Sequence, residues 1–412
     1  MKILHVNHSD SGGGAARAAY RLHKSLGKIG IESRMLVNIG NMGDRTVISP
    51  KNKLDKLFNM LRPHVVAFLL RAFKTQNKIL HSLALLPSGK VRKINHGNED
   101  LIHLHWINGE MLSISDIGKI NKPVVWTLHD MWAFCGAEHV SYDKRWEDGY
   151  SHSNRDVDEI GLDLNRWVWK RKLRNWTTPR HIVTPSSWMA QCVKKSKLMG
   201  SWPVSVIPNP IDIDKWAPIE KEVARLILGI KTNGSIKVVF GAMGDVFSYH
   251  KGFDLLIKAL EQISKNGIKI DLLVYGQLEP SEGVRYAFPV KFLGRLHDDV
   301  SLRLLFSSAD VVVVPSRLDN FPSAATEAMA CGTPIVCFEV CGLIDIVTHK
   351  EDGYLARPFD VEDFAAGVLW VINNNNNNRL GLSGRKKAHK YWASQVVAKQ
   401  YENLYSQILS SK

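Results

Sequence analysis

The sequence contains no long apolar run. Its best candidate for a membrane stretch, Val65–Leu70, is six apolar residues closed by Arg71. A spanning helix needs ~20, so an integral membrane protein is not expected. Cysteine is sparse and odd in number: Cys135, Cys192, Cys331, Cys337 and Cys341, with no CxxC pair. That excludes a disulfide framework and a zinc ribbon, and it fits a reducing cytoplasm. The opening MKILHVNHSDSGGG has too short an apolar run for a signal peptide and no small-residue cleavage site after it. Low complexity is confined to Asn373–Asn378, whose six amides offer no apolar face and predict a surface loop.

Acidic residues are scarce in two places. Residues 51–93 hold ten basic side chains and one acid, Asp55. Arg166–Lys197 holds nine basic residues, no acid, and Trp167, Trp169, Trp176 and Trp188. Over the chain, 54 Lys+Arg face 40 Asp+Glu, a formal charge of +14. Residues 1–200 carry all of it, with 31 basic and 17 acidic side chains, whereas 201–412 carry 23 of each. The excess therefore serves a site on the N-terminal half. A hydrophobic fraction of 45% and a charged fraction of 23% are those of a globular protein, not a disordered tail, a collagen or a coiled coil. A length of 412 residues suggests two or three domains.

The first unit reads as strand, glycine turn, helix: Lys2–Asn7, Ser11–Gly14, then the Ala-rich Ala15–Leu26. Short β-rich runs recur at Ile102–His105, Val124–Leu128, His181–Pro185, Lys237–Gly241, Ile270–Tyr275, Val290–Leu293, Val311–Pro315 and Ile335–Phe338. Helical patterns lie between many of them. This is a βαβ series, hence parallel sheets with helices on both faces. The prolines Pro203, Pro208, Pro210 and Pro218 mark a connection, giving two doubly wound α/β domains over 1–205 and 206–390, with a last helix in 391–412. In 51–93, Leu54, Leu57, Phe58, Leu61, Val65, Phe68, Leu69, Ala72 and Phe73 follow helical spacing, with Lys56, Arg62, Arg71, Lys74 and Lys78 nearby. Pro63 is expected to kink or split that helix. The segment reads either as a helix pair packed on its own domain or as a basic amphipathic surface for anionic lipid. The Trp/Arg-rich stretch comes with no nucleic-acid-binding module, so no nucleic-acid partner is expected.

Several motifs suggest chemistry. Ser11–Gly14 lies between a strand and a helix, where glycines let backbone N–H groups approach an anion; a plain tight turn reads equally from the same residues. Arg17, one turn on, could add a cation. Asp212-Ile-Asp214 has the look of a metal-binding pair but reads as a turn, and Cys135 with His139 does not complete a metal site. Ser316–Pro334 follows the buried strand Val311–Val314, so its polar residues emerge at a strand's carboxyl end. There Asp319 and Glu327, eight apart, could both accept hydrogen bonds from sugar and ribose hydroxyls. The plainer alternatives are a capping Asp319 and a solvent-facing Glu327.

Glu327-Ala-Met-Ala-Cys-Gly-Thr-Pro334 resembles the C-terminal signature of the GT-B glycosyltransferases of family 4. Gly13-Gly-Ala-Ala-Arg17, His105-Trp106, Thr127-Leu-His-Asp-Met-Trp132, Thr184-Pro-Ser-Ser187, Pro208-Asn-Pro210, Lys251-Gly-Phe-Asp254 and Phe292-Leu-Gly294 follow in family order. The likeness spans essentially the whole chain and is strongest to bacterial enzymes building polysaccharides such as colanic acid and O-antigen. It implies two Rossmann-like domains facing a cleft and a retaining, metal-independent transfer from a nucleotide-diphosphate sugar, with no cofactor. By resemblance Glu327 holds the donor ribose, Asp319 stands where the family has a sugar-contacting Glu, and Lys251 neutralises the leaving diphosphate. His129 lies near the transferred sugar, Gly13 and Gly14 near the diphosphate, and Asn320 and Phe321 in the donor-binding loop. Arg17, His105 and Trp132 are candidates for acceptor or phosphate contact.

Two departures stand out. Asp319 is one methylene shorter than the usual Glu. The arginine that commonly precedes the lysine is missing, with Asp245 and Val246 at that spacing and Arg295 as a possible substitute. The basic N-terminal half then implies an acceptor on a polyprenyl diphosphate, at the cytoplasmic membrane face. A GT-B epimerase and a non-enzymatic basic binding module remain as alternatives.

Overall fold

The computed structural model describes every residue except 72, 76, 78, 158, 242–247, 280–284, 297 and 412. The chain divides into two compact units, Met1–Pro208 with Val397–Lys412, and Asn209–Val396.

The first unit is built on seven parallel strands: β1 (Lys2–Val6), β2 (Glu32–Leu36), β3 (Val47–Ile48), β4 (Leu101–Leu104), β5 (Val124–Thr127), β6 (His181–Thr184) and β7 (Val204–Val206). Their order across the sheet is β3-β2-β1-β4-β5-β6-β7. Strand order reverses between β1 and β4, the switch point where such sheets open a crevice at their carboxyl ends. Helix α1 (Gly14–Lys28) is Ala- and Leu-rich and buries Ala16, Ala19, Leu22 and Leu26. On the same face as Leu22 and Leu26, Val397, Tyr401, Leu404 and Tyr405 of the last helix (Ser394–Ser410) join the core of Ile3, Leu101, Val125 and Val183.

Helix α2 (Lys53–Leu70) departs from expectation twice. It runs unbroken through Pro63, with only Arg62 and Val66 buried. The missing ladder bond is tolerated because most of the helix circumference faces solvent. Its apolar residues point outward, from Leu54 at 78% exposed to Phe68 at 68%, with Leu57, Phe58, Met60, Leu61, Val65 and Leu69 between them. Arg62, grouped in the sequence with the flanking surface cations, is instead the anchor: it donates to the carbonyl oxygens of Glu110 and Pro87 at 2.9 and 2.7 Å, and to that of Leu86.

Helix α3 (Leu164–Asn175) carries the Trp/Arg-rich stretch, and there too the cations turn inward. Lys172 is fully buried and donates to the carbonyls of Cys135 and Gly136 at 3.0 and 2.7 Å and to that of Trp132. Arg171 donates to the carbonyls of Leu83 and Ala84.

The second unit has six parallel strands: β8 (Ile236–Gly241), β9 (Ile270–Tyr275), β10 (Val290–Phe292), β11 (Val311–Val314), β12 (Ile335–Phe338) and β13 (Gly353–Ala356), in the order β10-β9-β8-β11-β12-β13. The switch point here lies between β8 and β11. Helices α4 (Phe253–Lys265) and α5 (Ser323–Ala330) follow the two strands that flank it. Both units are thus doubly wound and Rossmann-like. The Asn-rich run ends one helix at Asn374 and makes a tight turn with positive φ at Asn377 and Asn378. Asp212 of the Asp-Ile-Asp motif accepts the backbone N–H of Lys215, a turn. No helix among the described residues is long and apolar enough to cross a membrane.

Candidate functional site

In the second unit the switch point assembles the Lys251 turn against the loop after β11. A short 3-10 turn, Tyr249–Lys251, hands over to α4 through Gly252, whose φ is +69°. A Cβ there would sit 1.9 Å from the carbonyl oxygen of Pro315, so only glycine lets the turn lie directly on the end of β11. That close approach places Lys251 Nζ 2.8 Å from Asp319 Oδ2, which also accepts from Ser316 Oγ at 3.3 Å. The main chain of the Asp319 loop is held in turn, its carbonyl accepting from the N–H of Gly342.

Sequence reading missed the brace of this turn, Arg317. Its backbone N–H donates to the carbonyl of His250 at 2.8 Å, and its guanidinium forms a two-pronged pair with Asp254 at 2.8 and 2.7 Å. The same guanidinium lies 4.0 Å over the Tyr249 ring. These bonds lower the Asp254 pKa, the hydrogen bonds to Arg317 being the main cause. Arg295, by contrast, is exposed beyond the edge strand β10, so the arginine brought to the lysine turn is Arg317. Asp245 and Val246 lie outside the described residues.

Glu327 is 2% exposed within α5, which excludes the solvent-facing alternative. Asn320 is buried as well. Phe321, expected to face the donor, instead turns into the core and meets Trp392 edge-on at 5.9 Å, since a ring at the start of α5 finds more apolar surface inward.

In the first unit, the loop after β1 carries Gly12 and Gly13 at φ +78° and +89°, conformations that L side chains rarely adopt. Helix α1 begins directly behind them with no side-chain cap. Its first N–H groups are therefore not satisfied by a capping side chain, the arrangement that suits an anion. Arg17 is half-buried one turn in. The loop is fixed from β4's side: Asn7 Oδ1 accepts the Trp106 N–H at 2.8 Å, and the His8 N–H donates to the Trp106 carbonyl at 2.8 Å.

After β5 come His129 and Asp130. Asp130 is a hub: it accepts from Trp106 Nε1 at 2.9 Å, from the Trp132 N–H at 3.0 Å, and pairs with His139 Nδ1 at 2.6 Å. Burial would raise its pKa, but His139 and these donors outweigh it and hold the carboxyl below the usual range. Burial lowers the His129 pKa to about 4, so its ring is neutral near pH 7.

Two expected acceptor contacts are corrected here. Trp132 is fully buried, its indole N–H donating to the Ser82 carbonyl at 2.9 Å and its ring capped by Lys172 Nζ at 3.8 Å. His105 is also buried, between His5 and His129. Both hold the site's frame and do not line its surface. One ring nitrogen from each of His5, His103 and His105 lies within 4.8 Å of the other two, with metal-like proximity. Both nitrogens of His103 and both of His105 are taken up in hydrogen bonds, so the trio as placed is a hydrogen-bonded layer.

Comparison with known proteins gives the family. A model described as Glycosyltransferase Family 4 matches residues 12–215, and one described as Glycosyl transferases group 1 matches residues 237–387. An uncharacterised glycosyltransferase of Methanocaldococcus jannaschii is 30% identical over 209 residues, covering 48% of this chain and 51% of that protein. The capsular polysaccharide biosynthesis glycosyltransferase CapM of Staphylococcus aureus is 27% identical over 180 residues, covering 42% and 46%. The matches to these curated relatives thus span about half of their length. Among solved structures, Anabaena HepE in complex with UDP-glucose aligns over 99% of this chain and 100% of its own, with a TM-score of 0.63 and 17% identity.

Proposed function

Given that the chain belongs to the GT-B glycosyltransferases, with a family 4 domain followed by a group 1 domain, we propose that it transfers a sugar from a nucleotide-diphosphate donor to a saccharide acceptor. The observation that carries this reading is the Lys251–Asp319 pair, set at the second unit's switch point in the same loop and helix as buried Glu327. A crevice at that point is where open α/β sheets take their ligands.

The donor binds the second unit. Glu327 accepts hydrogen bonds from the ribose hydroxyls, and Asp319 accepts from a hydroxyl of the sugar. Lys251 turns its ammonium to the diphosphate, where negative charge grows as the C1–O bond to phosphate breaks. A fixed cation aimed at developing charge is worth about 2.7–4 kcal/mol of barrier. With Lys251 in that role, the reaction needs no metal ion. Within the first unit, the α1 N-terminus behind Gly12 and Gly13 offers positive potential to an anion. The acceptor oxygen attacks C1 from the face the diphosphate leaves, and its proton passes to a leaving phosphate oxygen, so configuration is retained. His129, neutral near pH 7, orients a sugar hydroxyl.

The acceptor is lipid-linked and its diphosphate meets the basic first unit. Helix α2 supports this: a run of exposed Leu, Met, Val and Phe side chains beside Lys51, Lys53, Lys56 and Arg71 fits an anionic bilayer, which takes both the apolar side chains and the cations. On this reading the enzyme works peripherally on the cytoplasmic face of the membrane, in assembly of a bacterial surface polysaccharide.

The test begins with thermal shift against UDP-, GDP- and dTDP-sugars, because a donor bound to the native state raises Tm. NMR of the product then reports the anomeric configuration. Stabilisation by one nucleotide class, with transfer and retention, is the expected result. Nucleotide-sugar consumption with no acceptor would point to an epimerase, and tight salt-sensitive polyanion binding unchanged by Lys251→Ala to a binding module.

A further inference from the structure

Beneath His129 the face of the first sheet covered by α1 and the last helix carries a polar layer inside an otherwise apolar core. His5 comes from β1, His103 from β4, and His105 from the residue after β4. His5 Nδ1 lies 3.0 Å from His105 Nε2, and His105 Nδ1 lies 3.3 Å from His129 Nε2. The rings lie nearly parallel, at 23° and 22°. His103 stands beside this chain with partners of its own, Tyr405 Oη at 2.6 Å and Thr127 Oγ1 at 2.7 Å. Burial and the neighbouring imidazoles hold His5, His103 and His105 far below the ordinary histidine pKa.

A neutral imidazole has one N–H and one lone pair, so three in a row can order their protons in only two ways. In one, His5 Nδ1–H donates to His105, His105 Nδ1–H donates to His129 Nε2, and the His129 proton sits on Nδ1. In the other, every donor reverses and His5 carries its proton on Nε2. The inner end decides. His5 Nε2 is buried and makes no hydrogen bond among the described residues. The second order would leave an N–H there without an acceptor, at a cost of about 1–3 kcal/mol. The first leaves only a lone pair, and under-satisfied acceptors are tolerated more often than orphaned donors.

We infer that His5 and His105 are positioning residues that fix His129 as its Nδ1–H tautomer. His129 Nε2, already accepting from His105, then cannot take the acceptor's proton, which leaves that task to the phosphate. Only this kinetic consequence rests on the transferase reading; the tautomer does not.

The experiment is nitrogen-15 NMR on the full chain labelled at histidine, with the His129 signals identified by their loss in His129→Gln. Pyrrole-type Nδ1 and pyridine-type Nε2 at pH 7 are expected. In His5→Asp a carboxylate oxygen replaces Nδ1 and can only accept from His105 Nε2–H, so the His129 pattern should move towards the other tautomer, and kcat for donor turnover should fall about tenfold with donor KM within about twofold. His5→Asn, whose amide N–H replaces the Nδ1–H, should keep the wild-type pattern. If His5→Asp does not fold, the wild-type and His5→Asn spectra decide. A wild-type His129 protonated on Nε2 or on both nitrogens overturns the inference, as does a pattern indifferent to His5→Asp. The expected spectrum in a protein that turns over no nucleotide sugar upholds the tautomer and refutes the transferase.

Discussion

Lys251→Ala separates catalysis from folding more cleanly than any other change at the site. Among the described residues Lys251 Nζ meets one partner at 2.8 Å, Asp319, and the two side chains are 25% and 15% exposed. A partly solvated pair of this kind contributes about 1 kcal/mol or less to stability. Asp319 keeps Ser316 Oγ at 3.3 Å after the change, so no wholly bare carboxylate remains. For a unit of this size, that loss corresponds to a fall in Tm of about 2–4 °C. In the proposed mechanism the same ammonium faces the leaving diphosphate, where it would be worth about 2.7–4 kcal/mol, a drop in kcat of about 100- to 1,000-fold. Nucleoside-diphosphate release from the donor picked out by thermal shift measures the rate, and a melt of the same sample measures stability. Lys251→Arg, which keeps the charge but not the compact ammonium, should recover part of the rate. A rate loss under tenfold, or a loss matched by collapse of the melt, would show that Lys251 is a surface residue or a structural one.

Four further outcomes follow from the geometry. Glu327→Gln should weaken nucleoside-diphosphate binding by about ten- to a hundredfold, the worth of a charged hydrogen bond, read by calorimetry; unchanged affinity removes Glu327 from the ribose. Gly252→Ala should destabilise the second unit by roughly 1–3 kcal/mol, because φ is +69° and the Cβ has no room against Pro315; a denaturant melt at wild-type midpoint refutes that. Leu57→Ser with Phe68→Ser should abolish co-sedimentation with anionic liposomes and leave Tm nearly unchanged, since both side chains are exposed; binding indifferent to lipid charge and to these changes ends the membrane reading. Stability should decline as pH falls from 6.5 towards 4. Burial depresses the folded pKa of His23, His81 and His129 to about 4, so the unfolded chain binds more protons across that window, each group contributing up to about 1.4 kcal/mol per unit. Melts that stay level from pH 6.5 to 4.5 contradict it.

Most of the strands were legible because fully buried parallel strands read as short apolar runs, and the loops after them carry the polar residues; β2, β3, β7 and β13, short or partly exposed, were not. Asp319 and Glu327 stood out for that reason, whereas Lys251 came only from the resemblance to the family. Arg62, Arg171 and Lys172 did not stand out, because their partners are backbone carbonyls 24 to 88 residues away, and carbonyls leave no mark on a sequence. Arg62 was grouped with the cations of a basic amphipathic segment, and Arg171 and Lys172 were only counted in a Trp/Arg-rich stretch. Arg317 escaped notice because its pairing with Asp254 depends on Gly252 bringing two distant turns together. The histidine layer did leave a signal: His5 on β1, and His103 and His105 two apart, occupy inward positions of strands whose other inward residues are apolar.

The last helix has a consequence for dissecting the molecule. Residues 209–396 are, in chain terms, an insertion: the polypeptide leaves the first unit at Pro208 and returns to it at Val397. Tyr401 and Tyr405, which close the core beneath His103, arrive only after the whole second unit has been made. A fragment ending at Pro208 therefore lacks part of its own interior. Exchanging the second unit between relatives calls for two cuts, and during synthesis the first unit completes its fold last.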